Sequence, residues 1–176
     1  SLGWNGPWRE AMRHGADFLF ARLQREDGLF RPLPLEAAPD RPAGLYDQAF
    51  ALLALACLHR HHPARLWHDT ALRLIGELEA RNGSCWTELG QSGPIVSTNS
   101  LMHLFEAMLT WCAVGASNPF DRHARAIRVA LTDWLEQSSE DKLAEIIDPD
   151  TGRPSDAKHS QCWMPGHHYE WAFLLK

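Results

Sequence analysis

NSLMHLFEAMLTWCAV, residues 99–114, reads as a helix with almost no wet side. Its apolar residues run round the whole circumference, so it belongs inside a structure rather than on its surface. It nevertheless opens on polar side chains. Asn99, His103 and Glu106 fall at i, i+4 and i+7 and therefore share one face. Burying such groups without partners costs several kcal/mol each in the charged form, so this spacing predicts a shared pocket.

Two other segments have the same design. YDQAFALLALACL (46–58) is apolar nearly all round and begins with Tyr46, Asp47 and Gln48. HHYEWAFLL (167–175) follows a Pro-Gly turn and begins with His167, His168 and Glu170. Between these segments lie helices of a different kind, each with one apolar stripe. They are 7–25 (Trp8, Met12, Leu19, Leu23), 63–81 (Trp67, Ala71, Leu74, Ile75, Leu78) and 119–138 (Ile127, Ala130, Leu131, Trp134). With the inner helices placed at 44–61, 98–114 and 167–176, the order is outer, inner, three times over. Helical hairpins whose inner members line a common centre make an α/α toroid or barrel, and a TPR-like array is the alternative. Parallel inner helices bring their three polar starts to one mouth. The short stretches GLFRPL, SCWTEL and LAEII are expected to be small strands.

The remaining composition narrows the function classes. The 176 residues, 45% apolar, suit a single domain with a substantial core. A net charge of -5 with scattered Lys and Arg excludes a nucleic-acid surface. No signal peptide is visible at the start, and the longest apolar run, AFALLALACL, is ten residues, too short for a bilayer. Cys57, Cys85, Cys112 and Cys162 stand far apart, as free thiols of a cytoplasmic protein do. HRHHP (59–63) is expected to be a helix C-terminus, where His suits the dipole, rather than a metal cluster. Neither GxGxxG nor GxxxxGK[ST] occurs, so the strongest phosphate-binding signals are missing.

Three motifs, in order, resemble those of the N-acylglucosamine 2-epimerase family, which includes mannose isomerases and cellobiose 2-epimerases. LYDQAFALLALA is similar to its Tyr-Asp-(His or Gln)-Ala-Phe motif, NSLMHLFEA to Asn-x-x-Met-His-Leu-x-Glu-Ala, and PGHHYEWAFLL to Pro-Gly-His-x-x-Glu-Trp-Ala. The resemblance implies an all-α fold, an (α/α)6 barrel of which this chain covers about the middle half, with a sugar pocket at one mouth. It implies that His167 is a catalytic acid/base and that Tyr46, Asn99, His103 and Glu170 contact sugar hydroxyls; His103 and Glu170 are expected to share the catalysis with His167, and Met102 and Trp171 to bind the sugar. His168 falls on a variable position of the motif and takes no role. An Arg-x-x-Trp-type motif on an earlier helix is missing, as is a C-terminal His that partners the first in the isomerases. The chain is therefore expected to be a piece of a longer enzyme, to turn over sugar poorly alone, and to self-associate or pack against further segments through its open faces.

The chemistry follows from these side chains. A base removes the proton α to the carbonyl of an open-chain aldose, leaving an enediol or enediolate. Reprotonation at C1 gives the ketose, and at C2 from the other face the epimer. His167 as base contributes roughly 10²–10⁴-fold if neutral and in reach. Glu170 orients its ring or holds a hydroxyl, while His103 and Asn99 donate hydrogen bonds to the developing oxyanion. Neither a cofactor nor a metal is required. The expected partner is a small sugar, with no nucleic acid or membrane, and a homo-oligomer is compatible. A glycoside hydrolase using two of Asp47, Glu88, Glu106 and Glu170 is the second reading, and a non-catalytic helical scaffold the third.

Overall fold

Two of the three helices expected to be inner make the largest helix–helix interface: α2 (Leu45–His61) lies against α4 (Thr98–Ala113). These elements belong to a computed structural model that describes residues 5–34, 36, 42–83, 86–90, 93–116, 118–137, 142–155 and 162–176. Cys85 and part of SCWTEL lie outside the described residues. Burial explains the missing wet face: α2 buries Leu45, Ala49, Leu52, Leu55, Ala56 and Leu58, and α4 buries Leu101, Leu104, Phe105, Ala107, Met108 and Trp111. The indole N–H of Trp111, in the last turn of α4, donates to the Leu52 carbonyl at 3.1 Å, which ties the two helices together. Its ring also stacks on Phe120, with centroids 4.8 Å apart.

The amphipathic helices pack outside this pair. α3 (Arg65–Asn82) lies on α2 through Ala71, Leu74, Ile75 and Leu78, and α5 (Phe120–Gln137) lies on α4 through Phe120, Ala124, Ile127, Leu131 and Trp134. α3 ends where Gly83 turns left-handed at φ 71° and its N–H reaches the Glu79 carbonyl, a residue type and a bond that stop helices. α1 (Trp8–Phe18) continues through a wider turn at Leu19–Leu23, and Met12, Leu19 and Leu23 rest half-buried on the core. It stops two residues short of the expected end because Gln24 turns extended and pairs with Phe30. GLFRPL thus supplies one isolated bridge instead of a strand.

α6 (Pro165–Leu174) departs from the expectation of an all-round buried helix. It packs on α4 through Trp171, whose ring meets Phe105 at 5.9 Å, while Tyr169 and Phe173 are 79% and 78% exposed. The physical reason is that α4 covers one side of the helix and leaves these two rings facing outward.

Three short strands complete the described structure. β2 (Gly93–Ser97) pairs antiparallel with β1 (Glu88–Gly90), Glu88 opposite Ile95, and with β3 (Ile146–Ile147), Val96 opposite Ile147. β1 and β3 fall in SCWTEL and LAEII; β2 was not anticipated. These strands and their flanks bind the starts of all three inner helices. The Glu88 carboxylate accepts from Leu45 N–H at 2.9 Å, at the head of α2. β2 runs directly into α4, whose Thr98 N–H donates to the Glu145 carbonyl at 2.9 Å. The Glu145 side chain in turn accepts from Met164 N–H at 3.0 Å, just before α6. The inner helices therefore start at one end of the molecule. Three outer–inner hairpins in this order match an arc of an (α/α)6 barrel.

Candidate active site

At that end, sequence and packing decide which polar residues turn inward to the core and which turn to the open. Gln48 goes inward. It is fully buried, its Oε1 accepting from Phe30 N–H at 2.8 Å and its Nε2 donating to the Phe30 carbonyl at 2.7 Å and the Gly44 carbonyl at 3.2 Å. Its role is to hold the 24–31 turn on α2, so it leaves the polar cluster inferred for the helix start. Asp47 reaches back to Gly44 N–H at 3.0 Å, and together with Glu88 satisfies amide donors at the first turn that no helix can satisfy internally.

Tyr46 and Phe50, one turn apart on α2, stay open at 43% and 39% exposure. Both rings touch His103 of α4, at centroid distances of 5.3 Å and 4.7 Å. His103 Nδ1 lies 3.3 Å from Glu106 Oε2, so the face read from the helical spacing forms as a pair. A groove of about 250 Å³ between α4 and α6 is lined by Met102, His103, Glu106, Tyr169, Glu170 and Phe173. Of the expected site residues, Met102, His103 and Glu170 thus share a wall-to-wall groove, and Tyr46 adjoins it through the His103 ring. Asn99 and His167 are not among its lining residues.

Asn99 stands one turn before His103, with its Oδ1 buried and no hydrogen-bond partner among the described residues. Trp171 is only 5% exposed, which makes it a core residue first, and its indole N–H is likewise without a described partner. Buried polar atoms are satisfied in the great majority of cases, so this orphaned acceptor and orphaned donor stand out in the neighbourhood of the groove.

His167, in the first turn of α6, has its Nδ1 2.9 Å from Glu145 Oε2. The carboxylate that reaches this ring is that of Glu145, twenty-two residues earlier, and not that of Glu170 one turn on. Glu145 was missed in the sequence. The signal available was a lone acidic residue in an apolar, strand-like stretch, LAEII. His168 is structural: its Nε2 accepts from Leu143 N–H at 3.0 Å, which requires Nδ1 to carry the proton it donates to the Met164 carbonyl, also at 3.0 Å. Among the described residues no group of three or more His, Cys, Asp and Glu side chains is placed to hold a metal ion, and no helix is long and apolar enough to cross a membrane. HRHHP closes α2, and Cys57, Cys112 and Cys162 are free thiols.

The sequence profile of the N-acylglucosamine 2-epimerase (GlcNAc 2-epimerase) family matches residues 1–176. The chain belongs to this family. Among curated proteins, it is 31% identical over 192 aligned residues to a mannose-6-phosphate isomerase of Rhizobium meliloti (strain 1021), covering 98% of this chain and 47% of that protein. The chain thus spans about half the length of this relative. No solved structure matches it significantly. Within the epimerase family frame, the motif residues Tyr46, Met102, His103, Glu106 and Glu170 are gathered by the fold at or beside one groove.

Proposed function

We propose that the protein to which this chain belongs is a carbohydrate isomerase or 2-epimerase that acts on a free aldose by moving a proton next to the carbonyl. The observation that carries this reading is the groove between α4 and α6, where His103, Glu106 and Glu170 meet apolar walls from Met102 and Phe173. Sugar sites combine such features: carboxylates and imidazoles for hydroxyl groups, and rings or thioethers for the C–H faces.

In this mechanism His167 takes the proton α to the carbonyl, and the C–H electron pair becomes the double bond of an enediolate. Asn99 donates from its amide to the oxygen on which charge develops, and His103, whose Nδ1 proton faces Glu106, accepts from a substrate hydroxyl through Nε2. Return of the proton to C1 or to the other face of C2 yields ketose or epimer. The relative's name refers to a phosphorylated hexose. Among the described residues the groove lining carries two carboxylates, Glu106 and Glu170, and no Lys or Arg, which supports a neutral aldose of the mannose, glucose or N-acylglucosamine type. The same two carboxylates are the specific observation behind a second reading, a glycoside hydrolase with paired acids.

Incubating the full-length protein in D2O with free aldoses and their 6-phosphates separates these readings. Isomerase or epimerase action puts deuterium at C1 or C2 of a free aldose. Exchange with the phosphates alone would overturn the neutral-sugar assignment, and cleavage of glycosides without exchange would establish the hydrolase.

A further inference from the structure

We propose that Glu145 is the positioning residue of the reaction: it fixes the proton of His167 on Nδ1 and so reserves the Nε2 lone pair for the substrate. This deepens the proposed function and rests on its assignment of His167 as the base.

Glu145 is held from both sides. Its backbone N–H donates to the Cys162 carbonyl at 3.0 Å, and its carbonyl accepts from Thr98 N–H at 2.9 Å, while the Thr98 hydroxyl donates to the neighbouring Ala144 carbonyl at 3.0 Å. This anchors the residue to the start of α4 and to the approach to α6. Both carboxylate oxygens are then used: Oε1 accepts from Met164 N–H at 3.0 Å and Oε2 meets His167 Nδ1 at 2.9 Å. The pair is mostly shielded from solvent, with Glu145 14% and the His167 side chain 24% exposed.

An ionised carboxylate has no proton to give, so the contact at Oε2 is a bond only if Nδ1 is the donor. A neutral imidazole carries one proton. With it on Nδ1, Nε2 is the acceptor and can take a proton from carbon. Once it has done so, the imidazolium is stabilised by the carboxylate it already touches. The electrons of the C–H bond stay with the substrate as the enediolate, and the proton resides on Nε2 until it returns, so nothing else is consumed.

The amide of Gln cannot reproduce this arrangement. It has one acceptor oxygen where Glu145 has two, and Met164 N–H and His167 Nδ1–H both need one. If the oxygen stays with Met164, the NH2 faces Nδ1 and favours the tautomer with the proton on Nε2. That ring has no free base where the substrate needs it. In Ser-His-Asp hydrolases, the wrong tautomer from an Asp→Asn change lowers kcat about 10⁴-fold with geometry intact.

The test uses the full-length protein with Glu145→Gln, read by two measurements. ¹⁵N NMR of the histidine rings, assigned through His167→Asn, is expected to show the Nδ1–H tautomer for His167 in the parent and a shift towards Nε2–H in the variant. Deuterium exchange into the sugar is expected to fall about 10²–10⁴-fold in kcat with KM changed less than threefold or so, a split that general loosening of the fold does not give. A parent ring in the Nε2–H form, or a variant with parental exchange, would overturn the assignment. If the variant does not fold, the tautomer of the parent decides alone. A parent that shows no exchange with any sugar sinks the isomerase reading, whereas the tautomer still reports on the Glu145–His167 pair.

Discussion

Gln48→Leu removes the side chain that fastens the 24–31 turn to α2, and its cost can be worked from the bonds it makes. Gln48 and Phe30 are 0% and 1% exposed, so no water replaces what is lost. Among the described residues, Gln48 is the partner of both Phe30 N–H and Phe30 C=O, at 2.8 Å and 2.7 Å. The Gly44 carbonyl keeps the Gln48 backbone N–H, so it is not orphaned. Leu fits a similar volume but leaves two buried backbone groups unpaired, at about 1–3 kcal/mol each. Part is offset by the apolar atoms of Leu, roughly 1 kcal/mol or a little more. The expected net loss is about 1–5 kcal/mol, a fall in Tm of roughly 2–20 °C at this size. Gln48→Glu should cost more at pH 7, because it aims a buried carboxylate at the Phe30 carbonyl, and should recover on acidification as the protonated acid regains a donor. Equilibrium urea unfolding, monitored by tryptophan fluorescence, measures both variants. A Gln48→Leu protein as stable as the parent would refute the reasoning that this glutamine is a structural clamp.

His167→Asn in the full-length protein keeps a polar side chain but no base, so sugar exchange should fall by about 10²–10⁴ while the thermal transition moves little; undiminished exchange would assign the base elsewhere. Gly152 has φ 66°, and a Cβ there would overlap the Trp134 ring, so Gly152→Ala should cost about 2–4 kcal/mol in urea unfolding. A neutral Gly152→Ala variant would mean that this loop does not sit on α5. Desolvation holds the His123 imidazole below its ordinary value of 6.5, outweighing the nearby Glu79 carboxylate. A lowered folded value means that the unfolded chain binds the proton first, so the contribution is full above about 6.5 and is lost as pH falls from there towards the folded value. Tm should therefore drop on acidification below 6.5, and His123→Gln should flatten that part of the profile; an unchanged slope would assign the effect to other groups.

The helices, their limits within a few residues, and, α6 excepted, their division into wet and buried kinds were legible in the chain, because burial on one side or on all sides writes itself into periodicity. Asn99, His103 and Glu106 on one face of α4 followed from 3.6-residue spacing alone, and the His103–Glu106 contact is a local one. Family membership was legible too, since three motifs carried it. Only tertiary structure decided the fate of side chains whose partners are distant in sequence. Gln48 and Tyr46 are two residues apart on α2, yet one closes on Phe30 in the core and the other opens onto His103. Trp171 and Phe173 diverge in the same way, because α4 covers one side of α6. The carboxylate on His167 comes from Glu145 through the packing of three helix starts around short strands, a placement set by backbone bonds across the fold that no local spacing encodes.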